Sequence, residues 1–325
     1  MKQFTIAAAD ADRRLDKWLM KQMPAVPASL IQKYIRLKRV KLNGRGAQRD
    51  TRLQPGDVLC LYVPDECFER PRREDPFLRD FPVRLDVVYE DEHLLLIDKR
   101  PGVLVHPDEH EKVQTLLTHV RAYLYQKGEY DSKNPETFTP APCNRIDRFT
   151  GGIVIFAKTA EALHVADRKI RDREIDKRYL CVALGEMRRG TGLLDGYILK
   201  APEQKRVQVL HRPAPGAQHA QTKIEVLDSA NGLSLVHCQL LTGRTHQIRA
   251  QMADIGHPLL GDGQYGDRRR NQRYGREFQA LYAYQLTFEF RSDAGVLNPL
   301  NGRTFQVRQV PFLRDYFPDY APARP

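Results

Sequence analysis

No stretch of this 325-residue chain approaches the roughly 18 apolar residues in a row that a membrane-spanning helix needs. The opening Met1-Lys2-Gln3-Phe4-Thr5-Ile6 lacks the apolar core of a secretory signal, and charge resumes at Asp10. Both absences point to a cytoplasmic protein with no membrane partner. Cysteine is scarce and odd in number, five in all (60, 67, 143, 181, 238), with no Cys-x-x-Cys spacing. That argues against a disulfide framework and against a cysteine zinc site. Gly190, Gly192 and Gly196 lack the spacing and context of a dinucleotide-binding turn. His106, His110 and His119 invite a metal reading, but Pro107 follows the first of them, so His106 and His110 need not share a helix face. No metal site is expected, and no internal repeat is seen. Negative charge is also in short supply: 52 Lys and Arg face 41 Asp and Glu, a net +11. That balance suits a polyanionic partner such as nucleic acid, although basic proteins of other kinds are common.

The positive surplus lies mostly at the start. Up to Asp65 there are 13 Lys and Arg against six Asp and no Glu. Residues 1–65 read as a small basic module. Leu15, Trp18 and Leu19 have helical spacing, and Leu30, Ile31, Tyr34 and Ile35 repeat it after Pro27, with Ser29 as the N-cap. Val40-Lys41-Leu42 runs into an Asn43-Gly44 turn, and Gln54-Pro55-Gly56-Asp57 turns into the strand Val58 to Val63. Arg36, Lys38, Arg39 and Lys41 gather where the second helix ends. They are either RNA contacts or the cations that a helix C-terminus attracts.

Residues 66–82, rich in proline and charge, read as a linker. A second domain follows over 83–315, then a polar tail over 316–325. In this domain Leu85 to Tyr89 and Leu94 to Ile97 read as strands, 115–126 as a helix and 127–142 as a loop. Thr159 caps a helix whose exposed side is given to Arg168, Lys169, Arg171 and Arg173, either an RNA contact or a solvated face. Lys177 to Ala183 is the next strand, and 190–220 reads as turn-rich. Thr222 to Leu227 and Leu233 to Leu240 form a hairpin about Asn231-Gly232. The five arginines within 267–276 fall in a loop, either an RNA contact or plain surface. Leu281 to Phe290 and Thr304 to Val310 close the domain as strands.

The chain is organised around Asn144-Arg145-Ile146-Asp147-Arg148-Phe149-Thr150-Gly151-Gly152 and the apolar run from Ile153 to Ala157. One carboxylate stands between two arginines, and the glycine pair permits a tight reversal into a buried strand. Flanking cations suit a carboxylate that acts as nucleophile or base. A purely structural Arg-Asp-Arg network fits the same spacing equally well.

This stretch resembles the signature of RluA-type pseudouridine synthases, His-Arg-Leu-Asp-Arg-Asp-Thr-Ser-Gly followed by an apolar strand. Arg145, Asp147, Arg148, Thr150 and Gly152 are kept, while Asn144, Ile146, Phe149 and Gly151 depart. Thr242-Gly243-Arg244-Thr245-His246-Gln247-Ile248-Arg249 resembles the same family's second signature without departure, and Gly256 to Asp262 continues it. Lys99-Arg100-Pro101-Gly102 is similar to a Lys-Pro-x-Gly motif with Arg100 intervening, and Tyr282 stands where the family usually shows His. Residues 13–63, from Arg14-Leu15-Asp16 to Leu53-Gln54-Pro55-Gly56-Asp57-Val58, resemble an S4 RNA-binding domain.

The resemblance implies an α+β protein: a small N-terminal S4 domain of the α-L type, then a catalytic domain on a long, mostly antiparallel sheet. It implies that uridine in structured RNA is isomerised to pseudouridine without any cofactor. The C1′–N1 bond breaks, uracil rotates, and the ring rejoins through C5. Asp147 would be the essential carboxylate, attacking C1′ or removing the 2′ proton; Arg249 would pair with it, and Tyr179 would pack on the flipped base. Ile248 would line the base pocket, and Arg145 would fill the vacated space or meet a phosphate. Arg148, Thr245 and His246 would complete the substrate contacts. Arg14, Arg36, Lys38, Arg39 and Lys41 would be the RNA contacts of the S4 domain. The expected partner is RNA, large-subunit ribosomal RNA ahead of transfer RNA, acted on by a monomer. The competing class is a non-catalytic S4-type RNA-binding protein of ribosome assembly, motivated by the departures at 144, 149, 151 and 282.

Overall fold

The computed structural model describes residues 1–7, 10–23, 26–68, 75–134, 136–200, 206–320 and 322. The chain divides into two units, Met1–Glu74 and Asp75–Pro325.

The first unit comprises β1 (Lys2–Thr5), α1 (Leu15–Gln22), α2 (Ala28–Arg36), β2 (Val40–Leu42), β3 (Arg45–Gly46) and β4 (Val58–Leu61). Its strands form an antiparallel sheet in the order β1-β4-β2-β3. The helical spacing seen in the sequence buries Leu15, Leu19 and Ile31 in one cluster with Leu59 and Leu61 of β4. Helix α2 starts before Ser29: Pro27 is its N-cap residue, and no side chain caps it. Ser29 lies inside the helix, one residue past its first position, so its hydroxyl is not at the N-cap. Asn43 (φ 48°) and Gly44 (φ 79°) supply the two positive-φ positions of the β2–β3 turn.

The second unit opens with α3 (Pro76–Asp80), β5 (Val87–Glu90), β6 (Leu94–Lys99), α4 (Leu116–Gln126), β7 (Ala141–Pro142), β8 (Gly151–Ala157), α5 (Ala160–Arg171) and β9 (Ile175–Leu184). It continues through β10 (Gly190–Lys200), β11 (Val207–Leu210), β12 (Gln218–Ala230), β13 (Leu233–Leu240), α6 (Gln247–Asp254), α7 (Arg268–Arg273), β14 (Leu281–Phe288), β15 (Thr304–Gln306) and α8 (Pro311–Tyr316). Among the described residues, eleven strands make one sheet, whose main path runs β11-β10-β12-β13-β9-β14-β8-β6-β5. Only the β14–β8 pairing is parallel among the described strands. At its centre, alternate residues of β6 and β8 sort to two cores. Leu94, Leu96, Ile153 and Ile155 pack with Ala162 and Ala166 of α5, while Leu95, Ile97, Val154 and Phe156 pack with Val120 and Leu124 of α4. A helix over each face explains why these strands are apolar on both sides.

Several local expectations change. The stretch read as linker contains α3, capped by Asp75, with Leu78 and Phe81 buried in the α4 core; residues 69–74 lie outside the described residues. The turn-rich stretch after residue 190 contains β10, whose three glycines are carried by pairing with β12 from Gly190↔Val226 to Ile198↔Gln218. Cross-strand pairing overrides weak local propensity there. The arginine loop contains a helix, because the Asp267 carboxylate accepts from the N–H groups of Arg269 and Arg270 and caps α7. Lys169 is not on a solvated face; it is fully buried, and its ammonium meets Glu174 at 2.6 Å and Ser292 at 2.7 Å. In the stretch read as a tail, Phe317 is buried in the core and Tyr320 packs against it, while 321 and 323–325 lie outside the described residues. No helix of the described residues is long and apolar enough to cross a membrane.

Candidate active site

Asp147 begins a turn that the N–H of Thr150 closes onto the Asp147 carbonyl at 3.1 Å. The reversal is therefore complete before the glycine pair, which already belongs to β8. A side chain on Gly152 (φ 111°) would collide with the Ala283 backbone of β14. These glycines serve close approach between parallel strands, where the sequence had suggested a turn.

Arg249 arrives from α6. That helix is fixed by the residues of its own signature. The Gln247 side chain accepts from the Thr242 hydroxyl (2.8 Å) and the Arg244 N–H (3.0 Å), and donates to Thr222 of β12 (2.8 Å). Thr222 in turn donates to Gln251 at 2.7 Å. Anchored in this way, the buried Arg249 donates through Nη1 to Asp147 at 2.8 Å. Its Nε and Nη2 donate to both oxygens of Asp262, at 2.7 and 3.0 Å. Burial works against the guanidinium charge, yet Asp262 and Asp147 raise its pKa above the ordinary arginine value. Asp262 has no exposed surface. The sequence put it at the end of a motif but assigned it no role, because only the fold brings it to Arg249.

His246, the N-cap residue of α6, has a left-handed backbone (φ 52°) and makes no capping bond. Its Nδ1 lies 2.9 Å from the Tyr265 hydroxyl and its Nε2 lies 3.8 Å from the Asp147 carboxylate. Burial lowers its pKa, opposed by Asp147. Tyr179 of β9 is buried, and first that burial, then the charge on Asp147, push its phenol pKa up. Lys99, at the end of β6, is a residue the sequence reading passed over except as part of a motif. Its buried ammonium donates to the carbonyls of Arg100 (3.1 Å), Val103 (2.8 Å) and Arg148 (2.9 Å), tying the turn after Asp147 to the loop after β6. Burial pushes its pKa down to about 7, with Asp147 and Asp98 opposing the fall.

Two cavities, of about 400 and about 520 Å³, share Arg145, Ile146, Asp147, His246 and Arg249. The reactive carboxylate candidate therefore stands between them. The smaller brings together Asp147, Arg249, Tyr179, Ile248, Arg145, Thr245 and His246 from the sequence expectation. Arg148 lines the larger instead: its Nε donates to the Gly102 carbonyl at 3.0 Å, so the cation paired with Asp147 is Arg249 and not its sequence neighbour.

Residues 93–254 match the profile of RNA pseudouridylate synthases, and residues 13–59 that of the S4 domain. An uncharacterised RNA pseudouridine synthase of Mycoplasma genitalium is 30% identical over 291 residues, covering 88% of each chain. The chain belongs to the RNA pseudouridine synthases. Ribosomal large subunit pseudouridine synthase C of Vibrio vulnificus is 30% identical to this synthase over 263 residues, covering 80% of this chain and 78% of that one. Large subunit synthase D of Nitrosomonas europaea is 29% identical over 290 residues, 87% and 79% of the two chains. The human RNA pseudouridylate synthase domain containing 4 shares the fold with a TM-score of 0.54 at 22% identity, over 70% of this chain and 90% of that one.

The synthase's departures from the family signature have local partners. The Asn144 side chain accepts the Ile155 N–H of β8 at 2.8 Å. The ring of Tyr282 occupies the space a side chain on Gly151 would need, and its hydroxyl donates to Asp98 at 2.7 Å. Phe149 stacks on Phe278. In the synthase's S4 domain, Arg36, Lys38 and Arg39 are exposed and Lys41 is half-buried. Arg39 lies over the Tyr34 ring and Lys41 over Tyr62. Arg14 differs, because both arms of its guanidinium engage Asp16, at 3.2 and 2.7 Å.

Proposed function

We propose that this synthase forms pseudouridine in large-subunit ribosomal RNA, with Asp147 acting on a uridine turned out of its stack. The observation that carries the reading is the single buried guanidinium gripping Asp147 on one side and Asp262 on the other. A fork held on both sides fixes the direction of the Asp147 carboxylate toward the cavity. The ribosomal choice is supported by the relatives whose names state it and by the basic first unit.

A base within a helix cannot reach a carboxylate at the divide between two cavities, so the uridine flips. Uracil enters the smaller cavity, which Tyr179 and Ile248 line. The raised pKa keeps Tyr179 a neutral phenol. It therefore serves as a stacking surface rather than as an anionic base. Asp147 attacks C1′ or takes the 2′ proton; either path breaks the C1′–N1 bond. Uracil turns, C5 bonds to C1′, the C5 proton leaves and N1 gains one. Arg145, exposed at the shared wall, meets the flipped nucleotide's phosphate or fills the gap in the stack.

The test is pseudouridine mapping of total RNA from cells lacking the gene and complemented with wild type or Asp147→Asn. Wild type restores a discrete ribosomal pseudouridine and Asp147→Asn does not, while the two purified proteins melt alike. Turnover by Asp147→Asn defeats the carboxylate assignment. Loss confined to transfer RNA defeats the ribosomal one. Altered ribosome profiles without any change in pseudouridine make the protein a binding factor.

A further inference from the structure

The larger cavity holds a feature for which uridine isomerisation has no use. Phe149 and Phe278 stack with centroids 4.2 Å apart and planes within 8°, and Phe278 keeps 42% of its surface exposed. They come from distant places, the turn after Asp147 and the segment between α7 and β14, and both are fixed to the reactive loops. Gln279, next to Phe278, donates to the hydroxyl of Thr150, next to Phe149, at 3.4 Å. The Phe278 backbone presses so closely on Gly261, beside Asp262, that a Cβ there would collide with its carbonyl. A rigid aromatic pair left partly in water costs free energy that burial elsewhere does not recover. Its position in the cavity wall that also contains Asp147 suggests what covers it.

We propose that the Phe149–Phe278 pair is a stacking platform for a second unpaired nucleobase of the RNA, a neighbour of the flipped uridine along the strand. Every base has a π-face, so two phenylalanines with no polar atom hold a base by stacking alone. Phosphate is left to other side chains of the cavity. Asp108 and Glu277 line the same cavity and repel it, while the exposed Arg145 and Arg148 line that cavity too and attract it. The guanidinium of Arg148 lies 5.5 Å from the Phe149 centroid, placing a cation beside the platform for the linking phosphate. The substrate is accordingly a loop, bulge or opened helix with at least two bases unstacked. This inference rests on Asp147 being where uridine reacts.

The experiment uses the full-length protein and synthetic stem-loops carrying the uridine identified by mapping. Each flanking nucleotide in turn is made abasic, and kcat/KM is measured for wild type, Phe278→Leu and Phe278→Tyr. Stacking of one base is worth roughly 5- to 150-fold. Wild type should lose about that factor at one flanking position. Phe278→Leu, with an unchanged melting curve, should show that loss on the intact RNA and no further loss when that base is removed. Phe278→Tyr, which restores a ring, should behave as wild type. Equal abasic penalties in wild type and Phe278→Leu at every position overturn the platform while leaving the uridine chemistry intact. Absence of any conversion by wild type overturns the underlying reading, and the platform with it.

Discussion

Arg249 holds two carboxylates on one buried guanidinium, so replacing it acts on folding and on chemistry separately. In Arg249→Met the fully buried Asp262 keeps the N–H groups of Gln264 and Tyr265 but loses its counter-ion, a change that costs about 3–5 kcal/mol. The urea midpoint should fall accordingly. Adding Asp262→Asn should recover part of that stability without recovering pseudouridine formation; if it restores both, the Asp147 contact is dispensable. A second pair is coupled by shape. Gly151→Ser alone pushes a side chain into the Tyr282 ring and should cost about 1–3 kcal/mol, as overpacking does. In the Tyr282→His background the same change should cost much less, and a double-mutant cycle on thermal stability measures the coupling. Additive effects would mean that the two positions are not coupled. Read in sequence, Gly151 and Tyr282 count as two losses from a signature. Their compensation is a contact between two strands, which no local pattern contains. Arg249 was legible because its signature is unbroken, whereas the roles of Lys99 and Asp262 were not, since no local pattern shows that Lys99 reaches the Arg148 carbonyl or that Asp262 meets Arg249.

At the scale of elements, β6 ends in two titratable neighbours on opposite faces. Asp98 takes the Tyr282 hydroxyl, and burial raises its pKa to about 6, against an ordinary 3.8. A carboxyl whose folded pKa is raised binds more protons folded than unfolded. Its contribution to stability is therefore present below about pH 4 and is lost as pH rises through 6. Asp98→Asn has no such loss, so its stability relative to wild type should climb between pH 4 and pH 7, by on the order of 2 kcal/mol. Urea titrations of both proteins across that range check it; parallel pH profiles would show that Asp98 is solvated in the folded protein. Helices α1, α2, α4 and α5 and the β12–β13 hairpin were visible from periodicity and the Asn231-Gly232 turn, because these signals are local. Strand β10 was hidden by its glycines and α7 by its run of arginines. Pairing with β12 and the Asp267 cap decide these two elements, and hydrophobic periodicity reports neither.

At the scale of the whole molecule, each unit has cores of its own, and the charge is unevenly shared between them. Up to Asp65, 13 cationic side chains face six carboxylates, and Arg36, Lys38 and Arg39 stand exposed where α2 turns into β2. That concentration was readable from composition. Which of those cations are free to meet a phosphate was not, since Arg14 is bonded to Asp16. RNA binding through phosphates releases counterions, so affinity falls with salt by about 0.7–0.9 logarithmic units per neutralised phosphate. If Arg36, Lys38, Arg39 and Lys41 each meet one phosphate, replacing all four by Ala should lower the slope of log K against log salt by about 3. Binding at low salt should weaken, and the loss should shrink as salt rises, because the wild type loses affinity faster. If the cluster acts through binding alone, turnover at saturating RNA should hold while KM rises. Arg14→Ala should leave the slope nearly unchanged and lower stability instead, by freeing Asp16, which is 4% exposed. A slope unchanged in the fourfold variant would make the cluster a solvated helix end, and would move the phosphate contacts to the cations around the second unit's cavities.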